Sequence, residues 1–290
     1  CRRAHTTSQH TTVALLSPLF KTLHQLRSGS QLRKTLQANI RTVAVHAMAS
    51  SGPQRRGALI VFEGIDRCGK STQCSKLVEH LNQNQVPAEL WRFPDRTNLT
   101  GNIINSYLES KLDMPDEAIH LLFAANRWEN RQKILDKLAG GTTLVVDRYA
   151  FSGIVYSAAK GRDTMDMGWL KAVEAHLPAP DVVFYMKLSP EESARRGGYG
   201  QERYEKAEFQ AKVAACFGKV QEGDARWVVI DAAQPIDAIS EQICAKASEV
   251  LAAAQASKLP ANLYEADIRF KSANGGAQAR DISVGADQAS

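Results

Sequence analysis

The residues best suited to chemistry lie together in Gly64-Ile65-Asp66-Arg67-Cys68-Gly69-Lys70-Ser71-Thr72, which has the spacing G-x-x-x-x-G-K-[ST]. An apolar run, Ala58 to Phe62, precedes it, and a helical pattern with Leu77, Val78 and Leu81 follows. Strand, glycine loop and helix form the context in which this spacing cradles phosphate. Gly64 and Gly69 let successive N–H groups turn inward, and the helix N-terminus adds partial positive charge. Lys70 then reaches the outer phosphates of a nucleoside triphosphate, while the Ser71 hydroxyl ligates Mg²⁺.

Two loop residues carry alternatives. Asp66 sets a carboxylate where anionic phosphate should sit, so it either points into solvent or meets a hydroxyl, a cation or a metal-bound water. Arg67 is either a solvated charge or a clamp folded back onto the transferring phosphoryl group. Cys68 reads as a small neutral packing residue, in a place where a helix N-terminus lowers thiol pKa.

These side chains need a scaffold, and the order of elements supplies one. Apolar strands are expected at 58–62, 89–92, 142–147, 181–186 and 227–231, separated by helical stretches. One of these is expected as a single helix from Pro115 to about Leu138, with acids in its first turn and Gly140-Gly141 at its end. Strands alternating with helices predict an α/β fold with a parallel sheet covered on both faces and ligands at the carboxyl ends of the strands. The phosphate loop, Phe93 to Arg96, Asp147 to Tyr149 and the segment after Met186 therefore converge on one cleft. Asp147 closes an apolar strand, the position of a Mg²⁺-serving acid.

That cleft collects more arginine than one nucleotide needs: Arg96, Arg127, Arg148, Arg196 and Arg203 join Lys70 and Arg67. Phe123 and Arg127 stand four apart on one helix face. As an isolated pair they read as a core ring and a surface charge. Beside a phosphate loop, ring plus cation suits a second nucleotide, the base on the ring and its phosphate on the arginine. Two phosphorylated substrates imply phosphoryl transfer between them.

Charge is unevenly placed. Residues 1–62 hold nine Lys or Arg and no acid, so the body that follows is net acidic although the whole chain is +5. The basic balance is thus no sign of a nucleic-acid-binding body. The acid-free, Ser- and Thr-containing leader resembles an organellar transit peptide, with Met48 as an internal start. A disordered basic arm is the other reading. The chain opens on Cys1, so the N-terminal end is expected to be incomplete. Five cysteines without C-x-x-C spacing suggest a reducing compartment without structural zinc or a disulfide framework. No apolar run has the length of a bilayer span.

The segments Phe62–Gln73, Arg92–Arg96, His120–Trp128, Val145–Gly153 and Gly200–Glu205 together resemble the eukaryotic-type thymidylate kinases, from about Gly57 to Tyr264. The resemblance implies a P-loop NTPase-type five-stranded parallel sheet with helices on both faces and a short lid, Gly197 to Gln201. With the composition on either side, the chain divides into a transit peptide or disordered basic leader, 1–56, a kinase domain, 57–264, and a tail of Ala, Gly, Gln and Ser expected to be mobile, 265–290. The resemblance implies transfer of phosphate from MgATP to dTMP, and a homodimer. On the ATP side it implies Gly64, Arg67, Cys68, Gly69, Lys70, Ser71 and Thr72, with Arg196 on adenine. On the dTMP side it implies Phe93, Phe123 stacked on thymine, Arg127 on the base, Arg96 and Arg148 on the phosphate, and Tyr156 and Tyr204 near sugar and base. Asp66 takes the 3′-hydroxyl, and Ser71 and Asp147 serve Mg²⁺. Asp66, Arg67, Lys70 and Arg148 form the implied catalytic set. Relatives with the loop arginine lack catalytic basic residues in the lid, and this lid has none, so Arg67 is expected to be the clamp.

Because a phosphate acceptor is already ionised near pH 7, catalysis needs positioning and charge neutralisation rather than a general base. The alternatives are another nucleoside monophosphate kinase, a deoxynucleoside kinase, or a regulatory nucleotide-binding protein without turnover. Arg96 and the Asp147-Arg148 pair argue for a phosphorylated acceptor, and the filled catalytic positions argue for turnover. The leader is expected to direct the chain to mitochondria ahead of chloroplasts, and a start at Met48 to leave it in the cytosol or nucleus.

Overall fold

The computed structural model describes residues 55–196 and 202–264. The expected leader up to residue 54, Met48, the lid 197–201 and the tail beyond 264 lie outside the described residues.

Five parallel strands, β1 (Leu59–Glu63), β2 (Ala88–Arg92), β3 (Thr143–Asp147), β4 (Val182–Lys187) and β5 (Trp227–Asp231), form one sheet. Their order is β2-β3-β1-β4-β5. Every residue of β1 and β3 is buried, as is β4 up to Met186, while the edge strands β2 and β5 are only half-buried. A strand buried on both faces must be covered on both, and its sequence reads as a continuous apolar run.

Parallel neighbours require crossovers, and helices provide them. α1 (Lys70–Gln83) follows β1, and α2 (Leu99–Leu108) follows β2. α3 (Asp116–Glu129) and α4 (Arg131–Ala139) lead into β3. α5 (Ala150–Ala158) and α6 (Met167–Glu174) join β3 to β4, α7 (Pro190–Arg195) and α8 (Ala207–Val220) join β4 to β5, and α9 (Ile236–Gln255) follows β5. β1 lies between β3 and β4, so the chain leaves it first to one side and later to the other. The carboxyl ends of the strands at that reversal make the ligand crevice of such sheets.

The structure corrects the expected single helix 115–138. It breaks at Asn130, whose side-chain Nδ2 donates to the Asn126 carbonyl at 3.0 Å while its backbone N–H turns to Arg127. The side chain takes the carbonyl that a continuing helix would have given the backbone. Arg56, just before β1, is 8 % exposed and ion-pairs with Asp181.

Candidate active site

A cleft of about 1210 Å³ opens along the carboxyl ends of β1, β2 and β3. It is larger than the roughly 300–1,000 Å³ typical of a one-ligand site, so there is room for two nucleotides.

The phosphate loop forms one end. Gly64 (φ +144°) and Gly69 (φ +96°) take backbone conformations that L side chains resist, and at Gly64 a Cβ would lie 2.7 Å from the Met186 carbonyl. Gly69 caps α1 without a side-chain acceptor, which leaves the first-turn N–H groups for a ligand. Lys70 Nζ donates to the Ile65 carbonyl at 2.6 Å and lies 3.4 Å from Cys68 Sγ, with Cys68 itself buried. Ser71 Oγ donates to Asp147 Oδ2 at 2.5 Å. Ser71 and Thr72 are exposed at the cleft, and Arg196 reaches in from α7's end to donate to the Arg67 carbonyl at 3.0 Å. One hydroxyl and one carboxylate suit Mg²⁺, which keeps several waters and completes its shell with substrate phosphate.

Arg67 itself has φ +59°, one of two non-glycine loop residues of the site held in the left-handed region. Its Nε and Nη2 lie 3.2 and 3.1 Å from Glu205 Oε1. Arg148, at φ +67°, is the other. Its Nη2 donates to Asp66 Oδ1 and its Nη1 to the Gly64 carbonyl at 3.1 Å and to Ser152 Oγ at 3.2 Å. Burial opposes the Arg148 charge, but the oxygens of Tyr156, Asp66, Asp147 and Glu63 outweigh it and hold the guanidinium protonated.

Asp66 is not the outward, solvated carboxylate that was one of its readings. Besides Arg148 it accepts from Tyr156 Oη at 3.1 Å and from Gln210 Nε2 at 2.6 Å. Gln210 also accepts from the Asp66 N–H at 2.9 Å, so the loop is fixed from α8. The charge that had to be offset is offset chiefly by Arg148.

The other end of the cleft is lined by Phe93, Arg96, Phe123, Arg127, Tyr156 and Tyr204. The Tyr204 ring packs on Tyr156 (5.6 Å) and stacks on Phe209 (5.2 Å). Arg96 is bound to Asn105 and Glu202, each at 2.8 Å, with its side chain 40% exposed. Arg127 is no surface charge. It is buried, with Nε 2.9 Å from Glu174 Oε2 and Nη2 on Glu174 Oε1.

Arg203 does not join this cleft. It donates to the Tyr107 and Leu112 carbonyls and to Asp113, with its guanidinium over the Tyr107 ring. Sequence reasoning also missed several residues that hold the site. Glu63, fully buried, accepts from the Tyr149 and Ser152 N–H groups and the Ser152 hydroxyl, and burial pushes its carboxyl pKa up. Asn126 clamps the loop before α2 through Asp95, Asn98 and Thr100. Arg92 lies 3.0 Å from Asp147 Oδ2. Their one advance signal was position, since Glu63, Arg92 and Asn126 all lie within segments that carry the family resemblance.

The family of the chain comes from its likeness to known proteins. The thymidylate kinase family profile matches residues 62–243. A thymidylate kinase of Arabidopsis thaliana is 51% identical over 193 residues, covering 67% of this chain and 72% of that protein. One from Homo sapiens is 47% identical over 190 residues, covering 65% and 89%. Among solved structures, a thymidylate kinase from Candida albicans superposes with a TM-score of 0.67 at 35% identity, covering 72% of this chain and 99% of that one. With a profile that spans most of the described body and relatives near half identity, this chain belongs to the thymidylate kinase family.

Proposed function

We infer that this chain transfers the γ-phosphoryl group of ATP to dTMP, giving ADP and dTDP. The observation that carries this reading is one cleft holding a phosphate loop at one end and an aromatic ring beside arginines at the other. Lys70 and the α1 N-terminus hold the donor phosphates. Phe123 stacks on the acceptor base and Arg127 contacts its edge. Arg96 and Arg148 hold the acceptor phosphate, whose oxygen attacks in line as the bond to the leaving ADP oxygen breaks. Asp66, fixed by three partners, keeps acceptor capacity for a sugar hydroxyl. Arg67 neutralises charge on the group in transit. Ser71 and Asp147 would hold Mg²⁺, which would supply positive charge against the donor phosphates.

A coupled ADP-release assay across nucleoside monophosphates tests this assignment. dTMP should be the best acceptor and AMP and CMP poor; equal turnover of dTMP and CMP would sink it.

Two further parts of the reading stand on less specific support. A homodimer is supported by the family resemblance and by Leu121 and Trp128, exposed seven apart on α3. A single-copy mass in light scattering at micromolar concentration would contradict it. Delivery to mitochondria is supported by the acid-free leader. A reporter fused to residues 1–47 should enter the organelle, and a uniformly cytosolic full-length fusion would count against it. Among the described residues no helix is long and apolar enough to cross a membrane.

A further inference from the structure

Arg127 is a cation whose charge is already cancelled. Its side chain is 3% exposed and that of Glu174 is 0% exposed. Both oxygens of Glu174 are used on it, Oε2 toward Nε at 2.9 Å and Oε1 toward Nη2. Nη1 has no partner among the described residues, and Arg127 lines the cleft. Glu174 ends α6, and two backbone anchors tie that end to α3 and α4. Trp128 Nε1 donates to the Val173 carbonyl at 3.0 Å, and Arg131 Nε donates to the His176 carbonyl at 2.8 Å. The pair is closed from the α5 side by Gly153, where a Cβ would lie 2.4 Å from Nη2.

A guanidinium facing a ligand without a carboxylate binds phosphate as a two-pronged cation. Here the neutralised group offers one N–H edge in a fixed direction. That edge suits a neutral carbonyl acceptor. It gives nothing to an amino group, which would also present a donor to a donor. We propose that Glu174 is a specificity-determining positioning residue, which holds Arg127 so that Nη1 alone faces the substrate and makes the base end prefer a 4-oxopyrimidine to a 4-aminopyrimidine. The inference rests on the base lying at Phe123 and Arg127.

Initial rates with dTMP, dUMP and dCMP test it, in the wild-type chain and in Glu174→Gln, Glu174→Asp, Arg127→Met and the double variant Arg127→Met/Glu174→Gln. Glu174→Gln should raise KM for dTMP by about 10–100-fold, the scale of one hydrogen bond to a charged group, with KM for ATP within about twofold. The ratio of kcat/KM for dTMP over dCMP should fall at least about tenfold. Glu174→Asp, which keeps the carboxylate, should restore part of that ratio. Because Glu174→Gln strands a buried charge and lowers stability, the double variant separates the roles. It should regain the thermal midpoint without regaining the ratio, and Glu174→Gln should cost nothing further once Arg127 is gone. Recovery of the ratio along with stability would mean that Glu174 acts only through folding, and would overturn the proposal. So would a wild-type ratio in Glu174→Gln with Arg127→Met impaired. Wild-type KM and ratio in Arg127→Met would instead remove the placement of the base, and the proposal with it.

Discussion

Replacing Arg67 by alanine tests whether charge in transit is neutralised from within the phosphate loop. Arginine clamps in phosphoryl-transfer enzymes are worth about 10³–10⁵ in rate, so Arg67→Ala should lose on the order of 4–7 kcal/mol of barrier lowering. If the contact forms mainly in the transition state, kcat falls and both KM values stay within a few-fold. Stability changes by a different amount. The ion pair of Arg67 with Glu205 has side chains 29% and 9% exposed, so its loss should cost about 1 kcal/mol, or roughly 2–4 °C in thermal midpoint. Alanine is the right replacement because Arg67 sits at φ +59°, where glycine would also release backbone strain and blur the comparison. Arg67→Lys keeps charge without the planar fork and should recover only part of the rate. The assay is ADP release under saturating ATP and dTMP, with the midpoint measured on the same protein. Near-wild-type kcat in folded Arg67→Ala would refute the clamp. Arg203 could not be the substitute, since Asp113 and two carbonyls hold it outside the cleft, and Arg196, over the loop, would be tested next.

Gly153→Ala adds about 1 kcal/mol of helix propensity but drives a Cβ to 2.4 Å from Arg127 Nη2 and 3.1 Å from Glu174 Oε1, in a pair too buried to step aside. Overpacking of about 1–3 kcal/mol should win, lowering the midpoint and raising KM for dTMP; a raised midpoint with unchanged KM would contradict this. Asp147→Asn removes the carboxylate that accepts from Ser71, and should raise the Mg²⁺ concentration for half-maximal rate at least about tenfold, read from a Mg²⁺ titration at fixed ATP; an unchanged titration would separate Asp147 from the metal. Burial, with Arg127 and Lys160 nearby, pushes the His120 pKa from 6.5 to about 4, so the unfolded chain binds the extra proton between those values. This group therefore costs stability as pH falls from about 6.5 to 4, by up to about 3 kcal/mol, and nothing above that range. His120→Phe, which keeps a ring against Trp169, should flatten the urea midpoint between pH 6.5 and 4, and an identical pH slope in both proteins would exclude the account.

The sheet was legible because its central strands are buried on both faces and must be apolar throughout, and the phosphate loop because its backbone angles demand glycines at set spacing. What escaped depends on contacts between residues far apart in the chain. Glu174 lies 47 residues from Arg127, and nothing local marks it as more than a polar helix end. Gln210 meets Asp66 across 144 residues. Arg203 was misplaced for the same reason, its partners lying some 90 residues upstream. The break at Asn130 is local, yet it hides inside a good helical pattern because one side-chain amide decides it.

The arginines of the cleft were legible as a set, but only their surroundings say which can turn toward a ligand. Each of five has a carboxylate partner: Arg67 with Glu205, Arg92 with Asp147, Arg96 with Glu202, Arg127 with Glu174, Arg148 with Asp66. Arg96 and Glu202 are 40% and 38% exposed, a pair worth about 0–1 kcal/mol, so a phosphate displaces Glu202 at little cost. Arg127 and Glu174 are at 3% and 0%, where stranding either charge costs about 3–5 kcal/mol, and that pair stays closed whatever binds. Arg148 lies between these limits, with side-chain exposure of 19% against 22% for Asp66. Asp66 is also held by Tyr156 and Gln210, so the Arg148 guanidinium keeps that partner and meets a phosphate only from its open side. In the proposed reaction the acceptor phosphate is therefore gripped by one arginine that moves and one that does not, and the motionless one sets where the attacking oxygen lies.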